Sequence, residues 1–127
     1  RKSVVTLSLH DALPIDASAE IVQTLIGQAN MRIERIVSTG QASPPGFWYD
    51  QSEAEWVMLL AGAARLRFES PAEVVELTPG DCLNIEPHRR HRVDWTSPDA
   101  PTLWIAVFYE QETRPPDNTV PTTQFGR

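Results

Sequence analysis

The most informative stretch for predicting the fold is residues 79–95, PGDCLNIEPHRRHRVDW. A Pro-Gly-Asp turn comes first, a short apolar run follows, and a second turn around Glu86 leads to His88 and His91 among three arginines. Short β-prone runs separated by turn residues are typical of antiparallel strands. The stretch therefore predicts two strands joined by a turn that carries two imidazoles.

The same pattern of β-prone runs and turns extends over most of the chain. Short β-like runs follow one another from Met31 to Glu110, and the turn signals SPPG, AG, SPA, TPGD, EPH and SPDAP separate them. Many short strands at such spacing predict an all-β sandwich or barrel rather than a βαβ protein. We therefore expect residues 31–110 to form one β domain.

Residues 16–30, DASAEIVQTLIGQAN, carry a different pattern. Asp16 or Ser18 can serve as a helix N-cap. The side chains that form one apolar side at helical spacing are Ile21, Val22, Leu25 and Ile26. The residues from Gly27 to Asn30 provide a stop signal. We expect a short N-terminal helix here.

The two ends of the chain are expected to lie outside the domain. Residues 6–15, TLSLHDALPI, are similar at all ten positions to the translation of a common sequencing adapter. Residues 1–15 are therefore interpreted as an artefactual segment. Residues 111–127 are polar and contain prolines, which predicts a flexible tail. The sequence shows neither a secretory signal nor an apolar run long enough to span a bilayer.

Charge and cysteine content limit the class of partner. The net charge is −6 and the sequence pI is about 4.9, which argues against nucleic acid or an anionic membrane as a partner. Cys82 is the only cysteine, so no intrachain disulfide can form and a reducing, cytoplasmic location is expected. A small molecule remains the expected ligand.

Two spaced motifs resemble those of the cupin superfamily. The first family motif is G-x5-H-x-H-x3,4-E-x6-G, and EWVMLLAG matches its end with Glu55 and Gly62. The second is G-x5-P-x-G-x2-H-x3-N, and the opening stretch matches it at Gly80 and His91. The resemblance covers about residues 31–109. It implies a small single-domain protein of the cupin-2 type, with a jelly-roll β-sandwich or barrel.

The resemblance also implies a metal position inside the barrel. Glu55 and His91 match two of the four ligand positions of the family, and Tyr49 and Gln51 stand where the family has two histidines. Imidazole and carboxylate donors suit iron, manganese, nickel or zinc. Gln51 would add a neutral amide oxygen as the third ligand. Tyr49 would bind a metal only after losing its proton, so it is the candidate catalytic acid or base.

Other positions depart from the family pattern. Glu86 stands in place of the motif proline, His88 in place of the glycine and Trp95 in place of the asparagine. We expect Trp48, Trp95 and His88 to form the wall or rim of the pocket. In an alternative register, Trp48 and Asp50 replace the two histidines of the first motif.

Two functions from different classes follow from this resemblance. In the first, the protein binds a divalent metal and acts on a small polar molecule, as a dioxygenase, isomerase or lyase does. In the second, it is a metal-free barrel that binds a small ligand as a sensor or carrier. A dimeric module without pocket chemistry is a third reading, because the histidine pair is missing.

One strand is apolar on both faces. If Glu55 points into the sandwich, Val57 and Leu59 point in with it, and Trp56 and Met58 point out together with Leu60. An apolar outer face requires a cover. The N-terminal helix or a second subunit would provide one, so we expect a homodimer.

Overall fold

The computed structural model describes residues 18–112, which form eight β-strands. The strands are β1 (Ile21–Gln28), β2 (Met31–Ser38), β3 (Ala54–Ala61), β4 (Ala64–Phe68), β5 (Glu73–Leu77), β6 (Cys82–Ile85), β7 (His91–Thr96) and β8 (Thr102–Tyr109). The proposed artefactual segment and all but the start of the predicted tail lie outside the described residues. Within residues 18–112, no helix is long and apolar enough to cross a membrane.

The strands form two antiparallel sheets. The larger has the order β1-β2-β8-β3-β6 and the smaller the order β5-β4-β7. β2 pairs with β8 over its whole length although the two lie at opposite ends of the described chain. The chain therefore crosses repeatedly between two sheets, as in a jelly roll. This confirms the predicted all-β class and jelly-roll architecture.

The predicted N-terminal helix is wrong, because residues 21–28 form strand β1. β1 pairs with β2 in antiparallel register from Ile21↔Val37 to Gln28↔Met31, so residues 29 and 30 form a two-residue hairpin loop. A register shift between Thr24 and Ile26 marks a bulge. Across that bulge the apolar residues take a spacing that imitates a helix, whereas the β-branched residues at 21, 22, 24 and 26 favour a strand.

The hydrophobic core lies between the two sheets. Its buried members are Val57, Leu59, Ala64, Leu66, Phe68, Leu77, Ile85, Trp104, Ala106 and Phe108. Val57 and Leu59 are 3% and 0% exposed, whereas their neighbours Trp56, Met58 and Leu60 are only half-buried. The alternation expected for β3 is therefore present, and Glu55 lies on the inner face in line with Val57 and Leu59.

Candidate functional site

A cavity of about 280 Å³ opens between the two sheets. Its polar lining consists of Glu20, Arg32, Glu34, Tyr49, Gln51, Glu55 and His91. Its apolar lining consists of Val22, Ile36, Val57, Leu66, Ile85, Val93, Trp104 and Phe108. Glu20, Val22 and Tyr49 are the exposed members of the lining and mark the mouth of the cavity. A largely apolar lining with a few polar groups is the usual form of a small-molecule site.

Main-chain hydrogen bonds fix the two walls of the cavity against each other. Tyr49 and His91 form an isolated antiparallel bridge, in which Tyr49 N donates to His91 O at 2.7 Å and His91 N donates to Tyr49 O at 3.1 Å. The next contact of the same kind joins His88 N to Gln51 O at 2.7 Å. The segment before β3 is thus tied to the turn before β7, although it forms no regular strand.

Glu55, Gln51 and His91 meet at the centre of the polar lining. Gln51 Nε2 donates to Glu55 Oε1 at 3.2 Å, and the same oxygen lies 3.5 Å from His91 Nε2. His91 is 4% exposed, so its imidazole is almost completely shielded from solvent. Up to 40 positions separate these residues along the chain, yet the fold places them around one carboxylate oxygen.

A backbone carbonyl defines the orientation of the His91 ring. His91 Nδ1 lies 2.8 Å from Arg89 O. A carbonyl oxygen can only accept a hydrogen bond, so Nδ1 carries the proton and donates. In the neutral ring Nε2 is then the unprotonated nitrogen, and it faces the Glu55 carboxylate.

Tyr49 stacks on the imidazole from the side of the cavity mouth. The two rings have centroids 5.4 Å apart and an interplanar angle of 26°. Burial raises the pKa of the Tyr49 phenol above its usual range, and the nearby carboxylates of Glu20 and Glu55 raise it further. Tyr49 is therefore a protonated hydrogen-bond donor near neutral pH rather than a ready anionic ligand.

Sequence reasoning missed the charged residues that β1 and β2 bring to the mouth. Arg32 and Glu34 lie on the inner face of β2, and Arg32 Nε donates to Glu34 Oε2 at 2.9 Å. Glu20 Oε2 accepts a hydrogen bond from Ser38 Oγ at 2.9 Å, and Ser38 Oγ accepts one from Trp104 Nε1. Polar residues at alternate positions of MRIERIVS were the signal that could have identified Arg32 and Glu34.

The residues expected to form the pocket wall lie elsewhere. Trp48 packs beneath the Arg90 guanidinium and Trp95 beneath the Arg65 guanidinium, and neither lines the cavity. His88 is exposed at the turn, where its Nδ1 lies 2.8 Å from Asp50 Oδ1. A bulge on β7 explains the position of Trp95. His91 and Val93 occupy the inner face, and simple alternation would place Trp95 there too, but the register shift opposite Arg65 and Leu66 breaks the two-residue period before Trp95.

The donors in the cavity fall short of a complete metal site. His91 resembles a metal ligand, since its second nitrogen is held by a carbonyl, and Glu55 supplies a carboxylate beside it. A mononuclear site requires three or four converging donors. Residues 18–112 contain no group of three or more His, Cys, Asp and Glu side chains placed to hold a metal ion. Gln51 and Tyr49 could add only a neutral amide and a protonated phenol.

Comparison with known proteins gives a consistent fold class. The family model described as "Cupin domain" matches residues 35–108. A crystal structure from Ralstonia eutropha JMP134, which carries the provisional name mannose-6-phosphate isomerase, is 43% identical in sequence. That match covers 84% of this chain and 99% of that chain, with a TM-score of 0.80. No curated relative matches the chain.

More distant solved structures share the fold. A cupin superfamily protein from Desulfitobacterium hafniense DCB-2 is 13% identical, with 78% of this chain and 84% of that chain covered and a TM-score of 0.65. A sugar phosphate isomerase of the cupin superfamily from Silicibacter pomeroyi DSS-3 is 20% identical, with 75% and 62% covered and a TM-score of 0.57. The fold and its inner cavity define a small β-barrel protein. The chain belongs to the cupin family.

Proposed function

We propose that the barrel binds a small polar molecule and that Glu55 and His91 transfer a proton on it, as in an isomerase or lyase. The observation that carries this proposal is the 3.5 Å separation of His91 Nε2 and Glu55 Oε1 inside a shielded cavity. The provisional isomerase name of the Ralstonia eutropha relative supports the same class of reaction.

The chemistry requires only residues of this chain. An isomerase of this kind removes the proton from the hydroxyl-bearing carbon next to a carbonyl and returns a proton to the carbonyl carbon. The hydroxyl proton moves to the former carbonyl oxygen, so atoms balance and no oxidant is consumed. His91 Nε2 or the Glu55 carboxylate accepts the proton, and the other group lies close enough to stabilise the charge that develops. Gln51 holds Glu55 in place, and Tyr49 offers its hydroxyl proton to a ligand oxygen.

Proton exchange with solvent tests this proposal directly. We expect purified protein in D₂O to replace the C2 proton of mannose, mannosamine or mannose 6-phosphate with deuterium. Proton NMR measures this exchange as the loss of the C2 proton signal. Glu55→Gln and His91→Gln should each slow this exchange by about 100-fold or more, the usual contribution of a general acid or base. Circular dichroism would show that each variant remains folded.

Glu76→Gln is a matched control for these variants. Glu76 pairs with Arg65 on the exposed face of the smaller sheet, so its removal should leave exchange unchanged. Exchange that survives in His91→Gln at the wild-type rate would refute the proton-transfer role. Binding of a probe to the wild type without any exchange would instead support a sensor or carrier.

Divalent metal binding is a second candidate, and the tethered His91 ring favours it. His91, Glu55 and Gln51 would be the protein ligands for iron, manganese, nickel or zinc, with water or the bound molecule supplying the remaining donors. Such a metal would act as a Lewis acid.

Metal content by mass spectrometry on protein prepared without chelator or a histidine tag tests this candidate. Near one metal per chain, lost in His91→Ala and retained in His88→Ala, would support it. Absence of metal after incubation with each of the four ions would exclude it.

A further inference from the structure

We propose that the cavity selects a small organic amine in its cationic form over a phosphorylated or carboxylated molecule of similar size. This selection rests on the proposed small-molecule site. It concerns the ligand charge that the cavity accepts, which the provisional name of the relative does not predict, since mannose 6-phosphate is an anion.

Carboxylates outnumber cations in the lining of the cavity. Glu20, Glu34 and Glu55 face it, whereas the cationic groups are Arg32 and, when it is protonated, His91. Burial of Glu20 raises the pKa of its carboxyl, although the hydrogen bond from Ser38 lowers it. Glu20 remains exposed on one side, so its carboxylate lies partly desolvated at the solvent-facing edge of the cavity. A ligand cation beside it would stabilise the charged form.

Two of the three guanidinium nitrogens of Arg32 already donate to carboxylates. Its Nε donates to Glu34 at 2.9 Å, and its Nη1 donates to both carboxylate oxygens of Glu53, at 2.8 and 3.0 Å. The guanidinium also stacks on the Phe108 ring, 4.1 Å from the centroid. A phosphate would have to displace one of these carboxylates from the planar fork that binds anions best.

The three arginines around His91 form ion pairs outside the cavity. Arg89 pairs with Glu73, Arg90 with Glu69, and Arg92 with Asp94. None of the three contributes to the cavity lining. The basic segment of the sequence therefore adds no anion-binding group to this site.

The remaining walls suit a ligand with a positive charge and an apolar or hydroxylated body. Each ionised carboxylate has two acceptor oxygens, and the known bonds use one oxygen of Glu20 and one of Glu55. Tyr49 and Trp104 add aromatic surface, which attracts cations. Ammonium hydrogen atoms would find acceptors on more than one side of the cavity.

Three forms of one sugar separate charge from shape. Mannosamine, mannose and mannose 6-phosphate share a ring but are cationic, neutral and anionic at pH 6. Isothermal titration calorimetry at low salt should give affinities in that order, with mannosamine at least tenfold tighter than mannose. Glu20→Gln keeps the side-chain shape and should reduce this ratio, whereas Glu76→Gln should leave it unchanged. Added salt should also reduce the ratio.

Several results would overturn the selection for amines. These are tighter binding of mannose 6-phosphate than of mannosamine, equal binding of all three sugars, binding of none, or an unchanged ratio in Glu20→Gln. The proton-transfer role is judged separately by loss of C2 exchange in His91→Gln. Tight mannosamine binding without C2 exchange would support the charge selection and refute the proton-transfer role. C2 exchange with mannose 6-phosphate bound most tightly would support proton transfer and refute the selection for amines.

Discussion

Gly62 packs against the backbone of Thr102 so closely that no side chain fits between them. A Cβ built at position 62 would lie 2.5 Å from Thr102 Cα and 2.6 Å from Pro101 O, and φ of Gly62 is +89°. Both obstacles are backbone atoms, which cannot swing aside. The glycine of the first motif is therefore required where the turn between β3 and β4 meets the start of β8.

Gly62→Ala should destabilise the fold by about 3 kcal/mol, because steric overlap adds to the cost of a left-handed backbone. Gly80→Ala is the matched control, since its φ is +96° but nothing lies within 4 Å of the added Cβ. Its expected cost is about 1 kcal/mol. Urea unfolding measures both, and equal losses would contradict the steric explanation.

Glycine should outperform alanine at position 88. His88 has a φ of 62°, the left-handed region, where the resembling motif has glycine. His88→Gly and His88→Ala both remove the contact with Asp50, so their comparison isolates the backbone. We expect the glycine variant to be more stable by about 1 kcal/mol in thermal unfolding. Greater stability of the alanine variant would show that the turn relaxes out of this conformation.

Asp94 should stabilise the smaller sheet in a pH-dependent manner. Partial burial opposes its ionisation, but hydrogen bonds from Arg92 and Arg67 outweigh this effect and hold the pKa of Asp94 below its usual range. A carboxyl with a depressed pKa stabilises the folded state fully when the pH is above its unfolded-state pKa of about 4. That stability is lost as the pH falls through the folded-state pKa.

Asp94→Asn should therefore lower the unfolding free energy at pH 7 by about 1–2 kcal/mol. The deficit should shrink steadily in urea titrations performed below about pH 4. The exposed pair of Glu76 and Arg65 provides the comparison, because Glu76→Gln should have a much smaller effect at neutral pH. A deficit of the same size at pH 7 and at the acid end would refute the assignment.

Tyr49 should ionise only at unusually high pH. The chain has two tyrosines, so the difference in near-ultraviolet absorbance between wild type and Tyr49→Phe isolates the Tyr49 phenol. Its midpoint should lie above about 10, the ordinary pKa of tyrosine. Glu20→Gln and Glu55→Gln should each lower that midpoint, because each removes a nearby negative charge. A midpoint at the ordinary value would mean that the ring is solvated.

We propose that the outer face of the larger sheet forms a homodimer interface. On this face Trp56 pairs across the sheet with Val107, and Met58 pairs with Ile105, so apolar side chains form continuous rows. All four are only half-buried in the single chain. A second copy of the same face would bury these rows, which is the usual arrangement of a two-fold interface.

Light scattering at micromolar concentration tests this proposal. The wild type should have the mass of two chains, and Met58→Lys or Val107→Lys should give the mass of one. Val74→Lys changes an exposed apolar residue on the smaller sheet and should leave the dimer intact. A monomeric wild type would refute the interface.

Alternation and turn residues predicted the all-β class, and the resemblance to the cupin motifs added the jelly-roll architecture. The inward positions of Glu55, Val57 and Leu59 on β3 follow from a two-residue period, which a strand must obey. β1 was mispredicted because its bulge shifts the apolar residues out of that period. Pairing with β2, which no local pattern reveals, determines its structure.

The candidate site was less predictable because its members come from separate segments. Matching to the motif selected Glu55 and His91, and the structure brings them within 3.5 Å of each other. Glu20 and Glu34 belong to no motif. Glu34 reaches the cavity through the pairing of β2 with β8, and Glu20 directly precedes β1, which pairs with β2. Trp48 and Trp95 were expected in the pocket wall from their places in the motif stretches, but neither lines the cavity.

The main-chain bridge between Tyr49 and His91 positions both residues independently of which side chains they carry. Both residues are placed by amide and carbonyl groups that every non-proline residue carries. Tyrosine can therefore stand where the resembling motif has histidine without any change of backbone. Point substitutions at positions 49 and 91 can therefore change the chemistry of the cavity while the backbone around it stays the same.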